Sequence, residues 1–131
     1  MTGNNVAGSN MDQMAEIRIT FFQECEEQLA ALEAGLLTME EGDTSLETVN
    51  AVFRAVHSIK GGAGAFKLDE LVSFAHIFET ALDKVRGGTL VPDGELMKLM
   101  LRAADSLADL VAGARDGIDV DRESYAGLSA E

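Results

Sequence analysis

Apolar residues recur every three or four positions along most of the chain, which is the period of an α-helix with one buried face. In the first such segment the apolar positions are Met14, Ile17, Phe21, Cys25, Leu29, Leu32, Leu36 and Met39. This pattern predicts a first helix of about seven turns, with Asp12 as its candidate N-cap. The stretch EGDTS, residues 41–45, ends it. Residues 1–10 are rich in glycine and asparagine and lack a period, so we expect a disordered lead-in there.

Two further helices follow at short intervals. The second is predicted to begin at a capping box formed by Thr44 and Glu47. Its apolar positions are Val49, Val52, Phe53, Val56, Ile59, Ala63 and Phe66. The third has Asp69 as its candidate N-cap and the glycine pair 87–88 at its end. Its apolar positions are Leu71, Ala75, Phe78, Leu82 and Val85.

A fourth helix is predicted between Asp93, after the loop with the single proline, and Gly117. Its apolar positions are Leu96, Leu99, Met100, Ala103, Leu107, Leu110 and Ala114. For residues 118–131 we expect at most a short fifth helix leading to a linker, and their ending suggests a piece of a longer chain. Four amphipathic helices with short connections and no strand pattern predict an all-α protein. Its predicted architecture is an antiparallel up-down-up-down four-helix bundle over residues 11–117.

The composition narrows the classes of partner. A chain of 131 residues is expected to form one domain, and its single cysteine, Cys25, lies on the apolar stripe without a partner for a disulfide. The first residues lack the features of a signal peptide, and no run of about 18 apolar residues exists. The net charge of −13 would repel nucleic acids and anionic membranes. We therefore expect a cytoplasmic, monomeric domain with no nucleic-acid partner and no membrane insertion.

The candidate chemistry lies in FRAVHSIKGGAGAF, residues 53–66. The neighbours of His57 at helical spacing are cationic or small, namely Arg54, Lys60, Gly61 and Gly64. They lie about 100° from the apolar stripe, so the imidazole is predicted at the edge of the core, facing water. Each glycine in a helix costs roughly 1 kcal/mol relative to alanine. The glycines therefore indicate that something approaches the helix backbone closely beside His57.

The second histidine lies in the third helix, close to a glutamate. His76 and Glu79 occupy the same kind of boundary position as His57 and are predicted to face it. If Glu79 accepts a hydrogen bond from Nδ1 of His57, the tautomer is fixed and Nε2 becomes an outward nucleophile. A histidine held in this way can carry a phosphoryl group. Lys60, with Arg54 as a second candidate, would compensate the charge of the phosphoryl oxygens.

The face around His57 also has its own charge. The residues at three- and four-residue steps are Asn50, Arg54, His57, Lys60, Gly61, Gly64 and Lys67. Three of the ten basic residues of the chain lie on this face and no acidic residue does, so its charge is opposite to that of the rest of the molecule. The pattern predicts that this face is a docking surface.

The segment HSIKGGAGAF, residues 57–66, resembles the histidine phosphotransfer (HPt) domain at the N-terminus of CheA-type chemotaxis kinases. The resemblance extends to FFQECEEQLAALE, AVFRAVHSIKGG and AHIFETALDKVRGG and covers about residues 12–115. It implies that His57 is the phosphorylated histidine, that Glu79 is its hydrogen-bond partner, and that Lys60 and His76 complete a polar cluster.

The resemblance has further implications. Gly61 and Gly64 would leave room for a receiver domain. Lys67 stands where many relatives have glycine, so the turn after the second helix must form without it. In that family the phosphoryl group comes from ATP through a separate kinase domain and passes to an aspartate on a response regulator of the CheY or CheB type. The domain alone would be a carrier without a cofactor, because ATP and Mg²⁺ bind to the kinase domain and Mg²⁺ to the regulator.

Two other classes of protein are alternatives. Two histidines and a glutamate can ligate a metal, but metal sites in bundles use several inward carboxylates with Glu-x-x-His spacing, and His76-x-x-Glu79 is the reverse order. We therefore predict no metal. The other alternative is a structural or adaptor bundle in which the glycines serve tight packing and His57 has no chemical role.

Overall fold

The computed structural model describes residues 2–117, with side chains for residues 13–117, and this part of the chain consists of four α-helices. They are α1 (Thr2–Glu40), α2 (Leu46–Ala65), α3 (Asp69–Arg86) and α4 (Gly94–Asp116). Helices α1 and α3 each pack against both α2 and α4, which closes a ring around one core. The described chain contains no strand, and the all-α, antiparallel four-helix bundle predicted from the sequence is confirmed.

The core is built from the predicted stripes with one systematic shift. All the predicted core positions of α3 are buried, and Val49, Val52, Val56, Ile59 and Ala63 of α2 are buried too. In α4, however, Leu96, Leu99, Ala103 and Ala114 are only partly buried. The core positions there are Met97, Met100, Ala104, Leu107, Leu110 and Val111. Because α4 packs against both α1 and α3, its buried face is centred about one residue away from the predicted stripe.

Helix α1 begins earlier than predicted. It starts at Thr2, so residues 2–10, for which we expected disorder, are helical in the structure, and Asp12 lies inside the helix rather than at its N-cap. Helix propagation gives the physical reason, since each residue added to an existing helix gains a backbone hydrogen bond and no proline interrupts this segment.

The early part of α1 also extends past the bundle. Met14 and Ile17, both predicted in the core, are 58% and 53% exposed. The guanidinium of Arg18 donates a 2.7 Å hydrogen bond to the carbonyl oxygen of Ala114, in the last turn of α4. Arg18 therefore lies level with the last turn of α4, and residues 13–17 before it are exposed.

The N-cap of α2 is Ser45, one residue after the predicted Thr44. Its Oγ accepts a hydrogen bond from the backbone N–H of Thr48. Asp43 reinforces this cap, since its carboxylate accepts hydrogen bonds from the backbone N–H of Ser45 and from the hydroxyl of Thr48. These bonds lower the pKa of Asp43. The predicted capping box is thus wrong by one residue, because Asp43 supplies the reciprocal contact that we expected of Glu47.

The connection between α2 and α3 consists of residues 66–68. Lys67 has φ of +57°, and the N–H groups of Lys67 and Leu68 donate to the carbonyl oxygens of Gly64 and Ala63. This pattern is a Schellman motif, and Leu68 at its end is also the N-cap of α3. Asp69 is therefore the first residue of α3, not its cap as predicted.

Lys67 occupies a left-handed conformation that favours glycine, so Lys67→Gly is expected to raise the free energy of unfolding by about 0.5–1 kcal/mol. Urea denaturation of the two proteins measures the difference. Lys67→Ala is the matched control, because it removes the charge but keeps the cost of positive φ. An equal gain in the alanine variant would show that charge, and not backbone conformation, determines the stability at this position.

The remaining helix ends agree with the sequence. Gly87 and Gly88 follow α3, the carboxylate of Asp93 accepts a 2.9 Å hydrogen bond from the N–H of Leu96, and Gly117 caps α4 with φ of +72°. The fifth helix expected in residues 118–131 lies outside the described residues. The domain boundaries at residues 11 and 117 stay a prediction. None of the helices in the described chain is long and apolar enough to cross a membrane.

Candidate functional site

The structure brings His57, Lys60 and Glu79 into one hydrogen-bonded cluster between α2 and α3. Nδ1 of His57 lies 2.6 Å from Oε2 of Glu79, and the ammonium of Lys60 donates to Oε1 of the same carboxylate at 2.7 Å. The His57 side chain is 60% exposed, whereas Glu79 is only 12% exposed. A partly buried carboxylate thus holds the inner nitrogen of an imidazole whose outer nitrogen, Nε2, faces solvent.

Local structure accounts for this meeting. His57 and Lys60 lie three residues apart on α2, which places them side by side on one face. The neighbouring residues Val56 and Ile59 are buried in the core, so the polar pair must lie at its edge. On α3, Phe78 is buried and Glu79 follows it, which puts the carboxylate at the facing edge. The short α2–α3 turn fixes the two helices as antiparallel neighbours.

The ionisation of Glu79 follows from its two partners. Partial burial by itself raises the pKa of this carboxyl group, because the charged form loses hydration. The hydrogen bonds and charges of Lys60 and His57 outweigh that effect, so the pKa of Glu79 is lowered overall. Glu79 is therefore a carboxylate at neutral pH and acts as a hydrogen-bond acceptor. It selects the tautomer of His57 with the proton on Nδ1 and the lone pair on Nε2.

Removing the Lys60 ammonium should raise the pKa of Glu79. A carboxyl group whose pKa is lowered by folding stabilises the protein above its unfolded pKa of about 4.3, and this stabilisation is lost as pH falls through the folded pKa. Lys60→Met is therefore expected to lower the free energy of unfolding by about 1 kcal/mol at pH 7. The difference between variant and parent should shrink below pH 4. Urea denaturation at pH 7 and pH 3 measures it, with the exposed Lys98→Met as control. A cost that is the same at both pH values would show that Lys60 contributes packing rather than charge.

The other predicted catalytic residue stands apart from the cluster. His76 is exposed on α3, one turn before Glu79. No hydrogen bond or ion pair joins it to His57, Lys60 or Glu79 within the residues that the structure describes. Lys60, which we expected to compensate phosphoryl oxygens, is 24% exposed and donates to Glu79. Arg54, one turn before His57 on the same helix, is exposed.

The glycines of the motif have two different environments. A Cβ atom at Gly61 or Gly64 would meet no atom within 4 Å, so this face is open. A Cβ atom at Gly62 would lie only 2.5 Å from the ring of Phe21. Gly62 therefore permits close packing of α1 on α2. Gly61 and Gly64, together with the exposed Arg54 and Lys67, form the surface that we call the docking face.

One contact of His57 was not predicted from the sequence. The ring of Phe53, four residues earlier, lies parallel to the imidazole, with an interplanar angle of 10° and 6.0 Å between ring centres. The guanidinium of Arg86 covers Phe53 at 4.0 Å from the centre of its ring. The spacing of Phe53 and His57 on one helix was a signal for the first contact. Nothing in the sequence indicated Arg86, because it lies on another helix.

The site contains no arrangement for metal binding in the part of the chain with described side chains, where no group of three or more His, Cys, Asp or Glu side chains can hold an ion. The arrangement offers a nucleophilic nitrogen that faces solvent and is held in place by a partly buried carboxylate. The fold and the site together define a helical bundle with an exposed histidine that a carboxylate orients.

The model of the Hpt domain family matches residues 16–117. The chain therefore belongs to the Hpt domain family, as the sequence motif indicated. It is 68% identical over 108 residues to the chemotaxis protein CheA of Rhizobium meliloti, a match that covers 82% of this chain but only 14% of that relative. The chain thus spans about one seventh of the length of that relative.

Two solved structures have the same fold. One is the phosphorylated P1 domain of CheA3 in complex with CheY6 from R. sphaeroides, with a TM-score of 0.77 and 32% sequence identity, covering 88% of this chain and 91% of that one. The other is the CheA phosphotransferase domain from Thermotoga maritima, with a TM-score of 0.69 and 28% identity, covering 76% of this chain and 94% of that one. Both similarities extend over most of the bundle.

Proposed function

We propose that His57 is a phosphoryl carrier, which accepts the γ-phosphoryl group of ATP from a separate CheA-type kinase domain and passes it to an aspartate on a response regulator. The observation that carries this proposal is the 2.6 Å contact between Nδ1 of the exposed His57 and the partly buried carboxylate of Glu79. It leaves Nε2 as the atom that can react. The alternative of an adaptor bundle gives no reason for a partly buried carboxylate to hold an exposed histidine.

Nε2 of His57 forms a bond to phosphorus in the first transfer and gives it up in the second. In the first, the lone pair of Nε2 forms a bond to the γ-phosphorus while the bond to the bridging oxygen breaks and ADP leaves. The positive charge that develops on the ring lies against Glu79, which stabilises it. In the second, a carboxylate oxygen of the regulator bonds to phosphorus, the P–N bond breaks and its electron pair returns to Nε2. ATP and Mg²⁺ belong to the kinase domain, and the regulator supplies its own Mg²⁺.

Within this function Lys60 is a positioning residue that keeps Glu79 ionised and in place. Arg54 is the side chain we propose to approach the phosphoryl oxygens, because this residue is exposed one turn from His57. For His76 we propose a secondary role at the edge of the site. The similarity to CheA also leads us to propose that the chain is the HPt part of a CheA-type chemotaxis kinase in the cytoplasm.

The docking face is proposed to bind the regulator. The structural relative described above is a P1 domain in complex with CheY6, which supports a regulator of the CheY type, with CheB as the other candidate. Receiver domains present carboxylates around their reactive aspartate, and Arg54 and Lys67 give this face the opposite charge. Because Gly61 and Gly64 have no side chains, the helix backbone is accessible beside His57.

A bulky side chain on this face should block the regulator. Gly64→Phe is expected to lower the rate of transfer from phosphorylated protein to a CheY-type receiver by about tenfold or more. The measurement is loss of label from the carrier, with circular dichroism to confirm the fold. Gly94→Phe is the matched control, because its position is equally open but lies at the other end of the bundle. Transfer at the parental rate from folded Gly64→Phe protein would place the docking site elsewhere.

Incubation with CheA-type kinase domains, Mg²⁺ and ATP labelled at the γ-phosphate tests the function directly. We expect one acid-labile phosphate per chain, located on His57 by mass spectrometry and lost to a CheY-type receiver in a second incubation. A folded chain that takes no label from an active kinase domain would favour the adaptor alternative.

A further inference from the structure

A hydrogen bond to Glu79 does not fix the orientation of the His57 ring by itself. It restrains the position of Nδ1, but hydrogen bonds keep much of their strength over a wide range of angles, so the ring can rock about the line joining Nδ1 to the carboxylate. An exposed side chain changes its rotamer within picoseconds to nanoseconds. The direction of the Nε2 lone pair, which must meet the phosphorus in line, therefore needs a second restraint.

Phe53 is placed to provide that restraint. It lies four residues before His57 on α2, half-buried against the core, and its ring is within 10° of parallel to the imidazole. The 6.0 Å between the ring centres lies within the range of offset-stacked aromatic pairs. Rocking of the imidazole would tilt it out of this parallel arrangement. The phenyl ring and the Glu79 carboxylate thus restrain the imidazole at two different points.

Arg86 holds Phe53 in turn. Its guanidinium lies 4.0 Å from the centre of the Phe53 ring, donates to Oδ1 of Asn50 at 3.2 Å and pairs with the carboxylate of Asp83. Asn50 belongs to α2 and Asp83 to α3, so the guanidinium is fixed from both helices. A cation stacked on an aromatic ring and anchored by two polar partners limits the movement of that ring.

We propose that Phe53, held by Arg86, is a positioning residue that orients the imidazole of His57 for phosphoryl transfer. This proposal rests on the function proposed above and adds to it a restraint that acts on the plane of the ring. Glu79 sets the tautomer, and the stack of Arg86 on Phe53 sets the direction of Nε2. The restraint acts equally in acceptance and in donation, because both steps use the same lone pair.

The test replaces Phe53 with leucine, which keeps an apolar side chain but removes the ring. Acceptance from kinase domains is expected to fall about tenfold in kcat with little change in KM, because docking is not altered. Phosphoramidate, a small donor that needs no docking, should show a similar fall. In that reaction Nε2 bonds to phosphorus as the P–N bond breaks and ammonia leaves. Phe53→Tyr, which keeps the ring, should restore the rate.

Two further variants separate positioning from structure. Phe66→Leu removes another partly buried ring, at the C-cap of α2, which stacks on Phe21 instead of His57, and should leave the phosphoramidate rate unchanged. Arg86→Met should lower that rate in the parent but cause no further loss when added to Phe53→Leu, because Arg86 acts through the ring. In the Phe53→Leu protein, NMR relaxation should show a lower order parameter for the Cε1–H bond of His57.

Some outcomes would overturn the proposal. A folded Phe53→Leu protein that reacts with phosphoramidate at the parental rate, or an equal loss of rate in Phe66→Leu, would exclude a positioning role for Phe53. Failure of the parental protein to accept phosphate from any kinase domain would contradict the proposed function instead. The phosphoramidate rates and the order parameters would still test the stack in that case.

Discussion

Replacing His57 with glutamine is expected to abolish phosphorylation by CheA-type kinase domains, with a fall of roughly 10³-fold or more in incorporated label. An amide nitrogen has no lone pair available for attack on phosphorus, so the carrier loses its reactive atom. The side chain lies outside the core, and the change in the free energy of unfolding should be about 1 kcal/mol or less. Filter-bound label after incubation with labelled ATP gives the first quantity, and urea denaturation gives the second.

His76→Gln is the matched control for this experiment, because the chain has two histidines. It removes an exposed imidazole from α3, one turn from Glu79, and leaves the hydrogen bond between Glu79 and His57 in place. Label that persists in His57→Gln protein and disappears in His76→Gln protein would reverse the assignment of the carrier. Label lost equally in both would show that the two imidazoles act together.

Alanine at Gly62 is expected to destabilise the fold by about 1–2 kcal/mol, whereas alanine at Gly61 should stabilise it by about 1 kcal/mol. The new Cβ atom at Gly62 would lie 2.5 Å from the ring of Phe21. That ring cannot move aside easily, since it packs against Phe22 at 4.8 Å and stacks on Phe66 at 4.9 Å between ring centres. At Gly61 the added methyl group meets nothing and only lowers the entropy of the unfolded chain.

Thermal and urea denaturation of the two alanine variants measure this contrast directly. The free energies of unfolding of the two variants are expected to differ by about 2–3 kcal/mol, which corresponds to a factor of roughly 30–150 in the folding equilibrium constant. The two positions are adjacent on one helix, so differences in helix propensity cancel between them. Equal stabilities would mean that α1 can shift away from α2, and that Gly62 is not required for their close packing.

The sequence predicted the four helices and most of the site because both depend on local spacing. The three- and four-residue period placed His57, Lys60 and Glu79 at core boundaries, and the structure shows that these boundary positions face each other across α2 and α3. The open surface at Gly61 and Gly64 also agrees with the pattern. Local periodicity is sufficient there because a helix fixes the relative directions of neighbouring side chains.

The features that the sequence did not predict depend on contacts between distant segments. The exposure of Met14 and Ile17 follows from where the other helices end, which a periodic pattern within α1 cannot show. The packing role of Gly62 depends on Phe21, and the cation–π contact on Phe53 comes from Arg86. The shift of the N-cap from Thr44 to Ser45 has a different cause, because adjacent residues of similar capping ability cannot be separated by propensity alone.

The shared use of Leu68 by two helices has a consequence for how related sequences can vary. Because this residue ends the Schellman motif of α2 and caps α3, the connection has no spare residue that can be lost or gained. An inserted residue before Glu79 would rotate the carboxylate by about 100° around α3, away from the imidazole. The separation of 22 residues between His57 and Glu79 is therefore a fixed length. We therefore expect the same interval between a histidine and a glutamate in any sequence that keeps this hydrogen-bonded pair.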